Sequence, residues 1–411
     1  MRRDNEILAI FFRLRILLLS AIAGATFAAL AALLAQSRAG DFALAWPLPA
    51  AFILALLIAH LHVRHFFLAL AAALAPLPGL VWAGILAVPA SQTEVLAYAF
   101  AIALCLFQAG SVADRVSQGE DGKTAAAAAL AEVFVPAGLT AVMLSVILLL
   151  WFVHQPEGAG IAAAQLMFAG LSGLTVLPLA ASGLNYSETF LEQFSRRREA
   201  RGRVMESMAM VAVPRWGTSF AGIALVFSVL GFFGAMEMVR STEFLCQPLL
   251  WAASAAVIFL GGYVTGGGWR SALSLLAAFI TVVTCGLWAL AELRVPVSAS
   301  ELLELHLAAS SGLLAALALM AQAERNRRAG DHPLVGLLRA IEKNGIGFFY
   351  GAMAGLASLA PLAFSVPEWP ALAVTILVGA LAAGIFAPAF MTLSEVAFPR
   401  RRTLEEVFGK R

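Results

Sequence analysis

Glu94 and Glu304 stand 210 residues apart in similar surroundings, and His306 follows the second of them closely. Two facing carboxylates with an imidazole nearby would titrate near neutral pH, which suits a proton or cation entry site on the periplasmic side. The plainer reading is that these groups mark the membrane interface. His60, His62 and His65 cluster around Arg64. Residues two apart on a helix point in different directions, so these side chains make a poor chelate and are expected at lipid-headgroup level. Cys105, Cys246 and Cys285 lie scattered in apolar runs and read as small core residues. Gly261, Gly262, Gly266, Gly267 and Gly268 lack the Lys and Ser/Thr of a phosphate loop and read as a flexible turn. No nucleophile-base-acid set, no paired carboxylates in an apolar cleft and no Cys/His metal motif is visible, so neither enzyme chemistry, a metal nor a cofactor is expected.

The elements that position these groups are membrane helices. Of the 411 residues 61% are hydrophobic and 13% charged, with a mean hydropathy of +0.87. An ordinary soluble domain carries about a quarter charged residues, so water could not solvate this surface. Apolar runs close to the ~20 residues needed to cross a bilayer recur along the chain, and their backbone polar groups must be satisfied within helices. Spans are expected at 16–35, 47–63, 66–88, 94–113, 130–153, 161–184, 217–236, 248–265, 271–291, 303–322, 345–365 and 370–394. Threaded this way, 24 of the 27 Lys and Arg fall on one side, and only Arg38, Arg240 and Arg294 on the other. The bias makes the first side cytoplasmic and places both termini there. The high Arg to Lys ratio suits a GC-rich bacterial source and hence the bacterial inner (cytoplasmic) membrane.

Charges recur at a constant offset of 210: Asp114 with Glu324, Asp121 with Asp331, Glu132 with Glu342, Glu94 with Glu304, and also Pro178 with Pro388. The expected architecture is therefore an all-α integral membrane protein of about twelve transmembrane helices, arranged as two pseudo-twofold-related six-helix halves. Residues 1–195 form the first repeat and 210–411 the second, inserted the same way up. Between them, 185–216 places Phe190, Phe194, Met205 and Met208 at helical spacing among arginines, which suggests a cytoplasmic amphipathic linker helix.

The segments "SVADRVSQGEDGKTAAAAALAEV" with Leu177-Pro178, and "AERNRRAGDHPLVGLLRAIEKNG" with Ala387-Pro388, followed by the basic ending "PRRRTLEEVFGKR", resemble the transmembrane core of the resistance-nodulation-division superfamily. Within it they are most similar to the hydrophobe and lipid exporters of the large mycobacterial membrane protein type. The resemblance implies porter domains after the first and seventh spans, but those positions hold only short turns, 36–46 and 237–247. It also implies an ionisable residue midway along spans four and ten, where this chain has Gln108 and Gln322 instead. Gln108, Glu94, Glu304 and His306 are the ion-coupling candidates. Asp114, Glu324, Glu132 and Glu342 are the repeat-related charges on the cytoplasmic side.

A membrane interior this poor in charge suits an apolar cargo better than an ion. The expected function is a transporter, or transporter-like subunit, that moves a hydrophobic or lipid-type molecule across or out of the inner membrane. Membrane lipids and a separate periplasmic or accessory subunit are its expected partners, and nucleic acid is not. The rival readings are a non-transporting scaffold or lipid-binding subunit of a larger complex, and a transporter of the major facilitator type.

Overall fold

The computed structural model describes residues 14–36, 47–86, 91–154, 156–196, 203, 217–239, 248–292, 316–361 and 387–395. Among these residues every regular element is helical. In chain order they are α1 (Arg15–Gln36), α2 (Pro47–Val63), α3 (Phe66–Leu74), α4 (Leu77–Leu86), α5 (Ser91–Ser117), α6 (Gly122–His154) and α7 (Pro156–Ala181). A short helix α8 covers 188–196. Then come α9 (Gly217–Val239), α10 (Pro248–Gly266) and α11 (Trp269–Glu292), the segment α12 at 316–328, α13 (Pro333–Leu359) and the segment α14 at 387–395. Three stretches, Phe66–Ala83, Glu94–Ser117 and Ala164–Ala181, are long and apolar enough to cross a membrane. Leu57, Phe134, Val226, Leu260 and Phe349 are among the large apolar side chains turned outward, as a lipid-embedded surface requires.

The third expected span is two helices. Pro76 has no N–H to continue α3, and the chain restarts at Leu77. The carbonyls orphaned by this break are taken by side chains from elsewhere. Tyr98 Oη donates to the Ala73 oxygen at 3.0 Å, and Ser172 Oγ to the Ala75 oxygen at 2.6 Å. A break inside a bilayer survives when neighbouring helices supply such donors.

At one end of the bundle, two connections have the same hydrogen-bond pattern. Gly119 at φ 92° ends α5, with its N–H bonded to the Val116 carbonyl and the Glu120 N–H to the Arg115 carbonyl. Gly330 at φ 105° ends α12, with its N–H on Arg327 and the Asp331 N–H on Asn326. Only glycine adopts such a φ without strain, and the paired bonds close the last turn of each helix. The next helices start alike. Asp121 Oδ1 accepts from the N–H groups of Lys123 and Thr124, both at 2.8 Å, and His332 accepts from the Leu334 N–H beside Pro333. The hydrogen bonds from Thr124 hold the Asp121 carboxyl below the usual carboxylate range. The backbone pattern thus repeats at 211 residues, one more than the spacing of the charges.

A close helix contact brings α13 antiparallel to α5. A Cβ on Gly351 would lie 3.0 Å from the Ala103 carbonyl oxygen, one on Gly355 3.2 Å from the Ala99 oxygen, and one on Gly347 3.0 Å from the Phe107 ring. Glycines every fourth residue let two backbones approach where apolar solvent gives no hydrophobic drive. Gly351→Val should therefore lower stability by about 1–3 kcal/mol, the usual cost of overpacking a core. Denaturant titration of the purified protein checks this, and a Gly351→Val protein as stable as the parent contradicts the close approach.

The linker region is described only to residue 196, plus Arg203, so Met205 and Met208 lie outside the described residues. Phe190 and Phe194 of α8 are buried against the bundle, with the Phe190 ring 5.1 Å from His65 and 5.8 Å from Tyr186.

Candidate functional site

Glu132 gathers the polar groups of three helices. It projects from α6 and accepts from Ser111 Oγ at 2.8 Å and Arg115 Nη2 at 2.9 Å, both on α5, and from Lys343 Nζ at 2.6 Å on α13. Its side chain is 12% exposed, against 24% for Arg115 and 43% for Lys343. Arg115 also reaches Glu120 through Nη1 at 3.2 Å. One turn farther along α6, Pro136 deprives the Glu132 carbonyl of its ordinary helical partner, and Thr140 Oγ1 bonds back to the Pro136 oxygen. The backbone is therefore loosened beside the carboxylate. Lys343 ties α13 to α6 through this carboxylate, while Arg115 ties α5 to α6.

Gln108 and Ser111 share the face of α5 that carries Arg115, at spacings of three and four residues. Gln108 is fully buried, and neither atom of its amide has a hydrogen-bond partner among the described residues. Phe107 stacks on Phe348 with centroids 4.6 Å apart, an apolar layer that joins α5 to α13. The histidines part company. His62 is 3% exposed, so it does not sit among headgroups as its sequence position suggested. Its ring stacks on Tyr350 at 4.6 Å, in space that Gly110 leaves open. His65 caps α3: its Nδ1 accepts from the Leu68 N–H at 3.2 Å, and its Nε2–H faces the Asn185 carbonyl at 3.3 Å.

Burial lowers the His65 pKa, with the Asn185 hydrogen bond working against it. The fold therefore favours the neutral ring, which alone can accept at Nδ1. The stability this confers is whole above about pH 6.5, the unfolded value, and is lost as pH falls through the lower folded value. Thermal unfolding at pH 7.5 and 5.5 should show a larger acid loss for the parent than for His65→Asn, which keeps an acceptor but does not titrate. Equal losses contradict the cap.

Of the residues expected from sequence, Glu132 is the centre of the knot. Glu342 is exposed, one residue from the Lys343 that Glu132 touches. Asp114 accepts from Gln118 Nε2 at 2.9 Å, apart from the knot. Glu324 is 7% exposed and accepts from Arg327 and Arg328; burial pushes its pKa up, but these bonds prevail and hold it below the usual range. Glu94 lies in the first turn of α5, at the end away from the knot. Glu304 and His306 lie outside the described residues. Gln322 donates through Nε2 to Asn326 at 2.8 Å. Sequence reasoning missed Ser111 and Lys343 as partners of Glu132, although Ser111, Arg115 and Lys343 correspond to Gln322, Asn326 and Glu132 at the backbone offset of 211.

No family model and no curated protein matches this sequence. Solved structures do. SecDF from Thermus thermophilus, described as a translocon-associated membrane protein, superposes with a TM-score of 0.60 at 11% identity, covering 86% of this chain and 62% of that one. The super-membrane-facing form of SecDF superposes at 0.56 and 10%, covering 86% and 63%. This chain has the membrane fold of SecDF. At these identities the likeness is one of fold. This chain spans less than two thirds of the length of either SecDF structure.

Proposed function

We propose that this chain is a transporter, or transporter-like subunit, of the bacterial inner membrane that moves a hydrophobic or lipid-type molecule across or out of the bilayer. On this reading about twelve spans form two six-helix halves with both termini cytoplasmic, and no enzymatic step is involved. The observation that carries it is the meeting of Glu132 with Lys343, residues 211 apart, at the offset where the backbone pattern repeats. Equivalent positions touch in this way when they lie beside a twofold axis, and a contact across that axis is where two halves can rock. The SecDF fold and the concentration of Lys and Arg on one side support the same reading. Glu94, with Glu304 and His306, is the proposed ion-entry group, and Gln108 the buried polar group on the path from it to the knot.

The test is translocation of fluorescent phospholipid between leaflets of vesicles holding the purified protein, with and without a proton gradient. Movement above protein-free vesicles is expected. None, from protein that is folded and correctly inserted, removes the transporter reading.

A second reading has its own support: the SecDF structures are of a translocon-associated protein, and this chain has their fold. As a non-transporting accessory subunit it would co-purify with a stable partner and leave the vesicle assay flat.

A further inference from the structure

His62 is an ionisable side chain buried where helices from the two ends of the sequence meet. α13 packs on α2 and α5, and α6 packs on α10. In the first contact the His62 ring, 3% exposed, stacks on Tyr350 of α13 with centroids 4.6 Å and planes 26° apart. It fills space that Gly110 of α5 leaves, where a Cβ would lie 2.5 Å from its Nε2. The second contact shows what packing alone requires. Arg64 at φ 55° follows α2 and Gly267 at φ 67° follows α10, a corner that repeats at 203 and sets Thr265 against His62. The offset of 211 sets Leu139 of α6 against Tyr350. Thr265 turns its hydroxyl back to the Gly261 carbonyl at 2.7 Å, and Gly261 closes on the Met143 side chain of α6. None of these residues ionises, so holding such helices together does not require an imidazole, and an ionisable group inside a membrane bundle calls for another reason.

We propose that His62 is a pH switch that releases α13 from α2. Tyr350 and Gly110 meet the ring directly. Asp114 lies one turn beyond Gly110 on the same face of α5 and accepts from Gln118. Lys343 lies two turns before Tyr350 on α13, and α3 carries no ionisable residue apart from His65 at its start. A charge on the ring inside this contact has lost its water, and the attraction of the Tyr350 face returns less than that loss costs. Where α13 draws away, water reaches the ring, and a solvated imidazole takes up a proton at about pH 6.5. The proton need not enter the closed contact. It binds the open arrangement and draws the population toward it by mass action, so acid opens the contact and base closes it. The switch goes beyond the transporter reading, to which it would supply a trigger, and it requires no cargo.

The experiment is hydrogen–deuterium exchange of the full purified chain in micelles at pH 8.0 and pH 5.5, corrected for the intrinsic effect of pH on amide exchange. At pH 5.5, about one unit below the ordinary imidazole value, the open arrangement gains about tenfold, and the α13 amides around Tyr350 should exchange faster by that factor. α11, which packs on α9 and α10, is the control and should exchange equally at both pH values. His62→Phe keeps a ring for Tyr350 and His62→Gln keeps a polar group, and in both variants α13 should stop responding to pH. Equal α13 rates at the two pH values in the parent, a rise that survives in either variant, or an equal rise in α11 overturns the proposal. An acid effect that works through His65 or Glu132 survives in both variants and is told apart in this way. Vesicle translocation is a separate readout: α13 released by acid without translocation removes only the transporter, and translocation with an unresponsive α13 removes only the switch.

Discussion

Glu132→Ala should destabilise the protein by about 3 kcal/mol, the lower end of the cost of stripping one partner from a buried ion pair. The substitution leaves Arg115 with Glu120 alone, leaves Lys343 without its 2.6 Å acceptor, and sets the two cations against each other. Lys343→Met should cost under about 1 kcal/mol, because Lys343 is 43% exposed and Glu132 keeps Arg115 and Ser111. This asymmetry identifies the knot, since a plain surface pair would lose the same from either side. Unfolding in mixed micelles measures both variants, and a Glu132→Ala protein no weaker than Lys343→Met denies Glu132 its central place.

Gly79→Ala is the other large effect. A Cβ at this position on α4 would lie 1.9 Å from the Phe168 carbonyl oxygen on α7, 2.3 Å from its carbon and 2.7 Å from the Ala169 nitrogen. All three are backbone atoms, so no rotamer change relieves the clash and the two helices must part. The expected cost is about 3 kcal/mol, the upper part of the usual overpacking range, with a matching fall in folded yield. Gly170→Ala and Gly138→Ala are the controls. Nothing lies within 4 Å of either added methyl, and both should be neutral or slightly stabilising because alanine favours a helix. If Gly79→Ala behaves like these controls, α4 and α7 do not touch along their backbones.

The turns that join α5 to α6 and α12 to α13 are legible in the sequence because their chemistry is local. Gly119, Asp121, Gly330 and Pro333 state where a helix ends and where the next begins, whatever packs around them. Pairing charges by type gave an offset of 210 and set Glu132 against Glu342. Successive helix positions differ by about 100°, so that one residue separates an exposed glutamate from the lysine that closes the knot. Distant contacts left less trace. Nothing near Gly79 announces Phe168, 89 positions away, and Pro76 alone did not show that span three would break. His62 looked like a headgroup residue beside Arg64 because the space that accepts it is made by Gly110, on another helix.

Charge exchange across the knot tests the central claim most directly. Glu132→Lys and Lys343→Glu should each cut phospholipid translocation in vesicles by about tenfold, equivalent to about 1.4 kcal/mol at the rate-limiting step. The double exchange should recover part of the loss, because opposite charges again face each other at 132 and 343 while Arg115 keeps a like charge beside it. A double variant as inactive as either single one, or single variants as active as the parent, would contradict a contact between equivalent positions of two halves that opens and closes in transport.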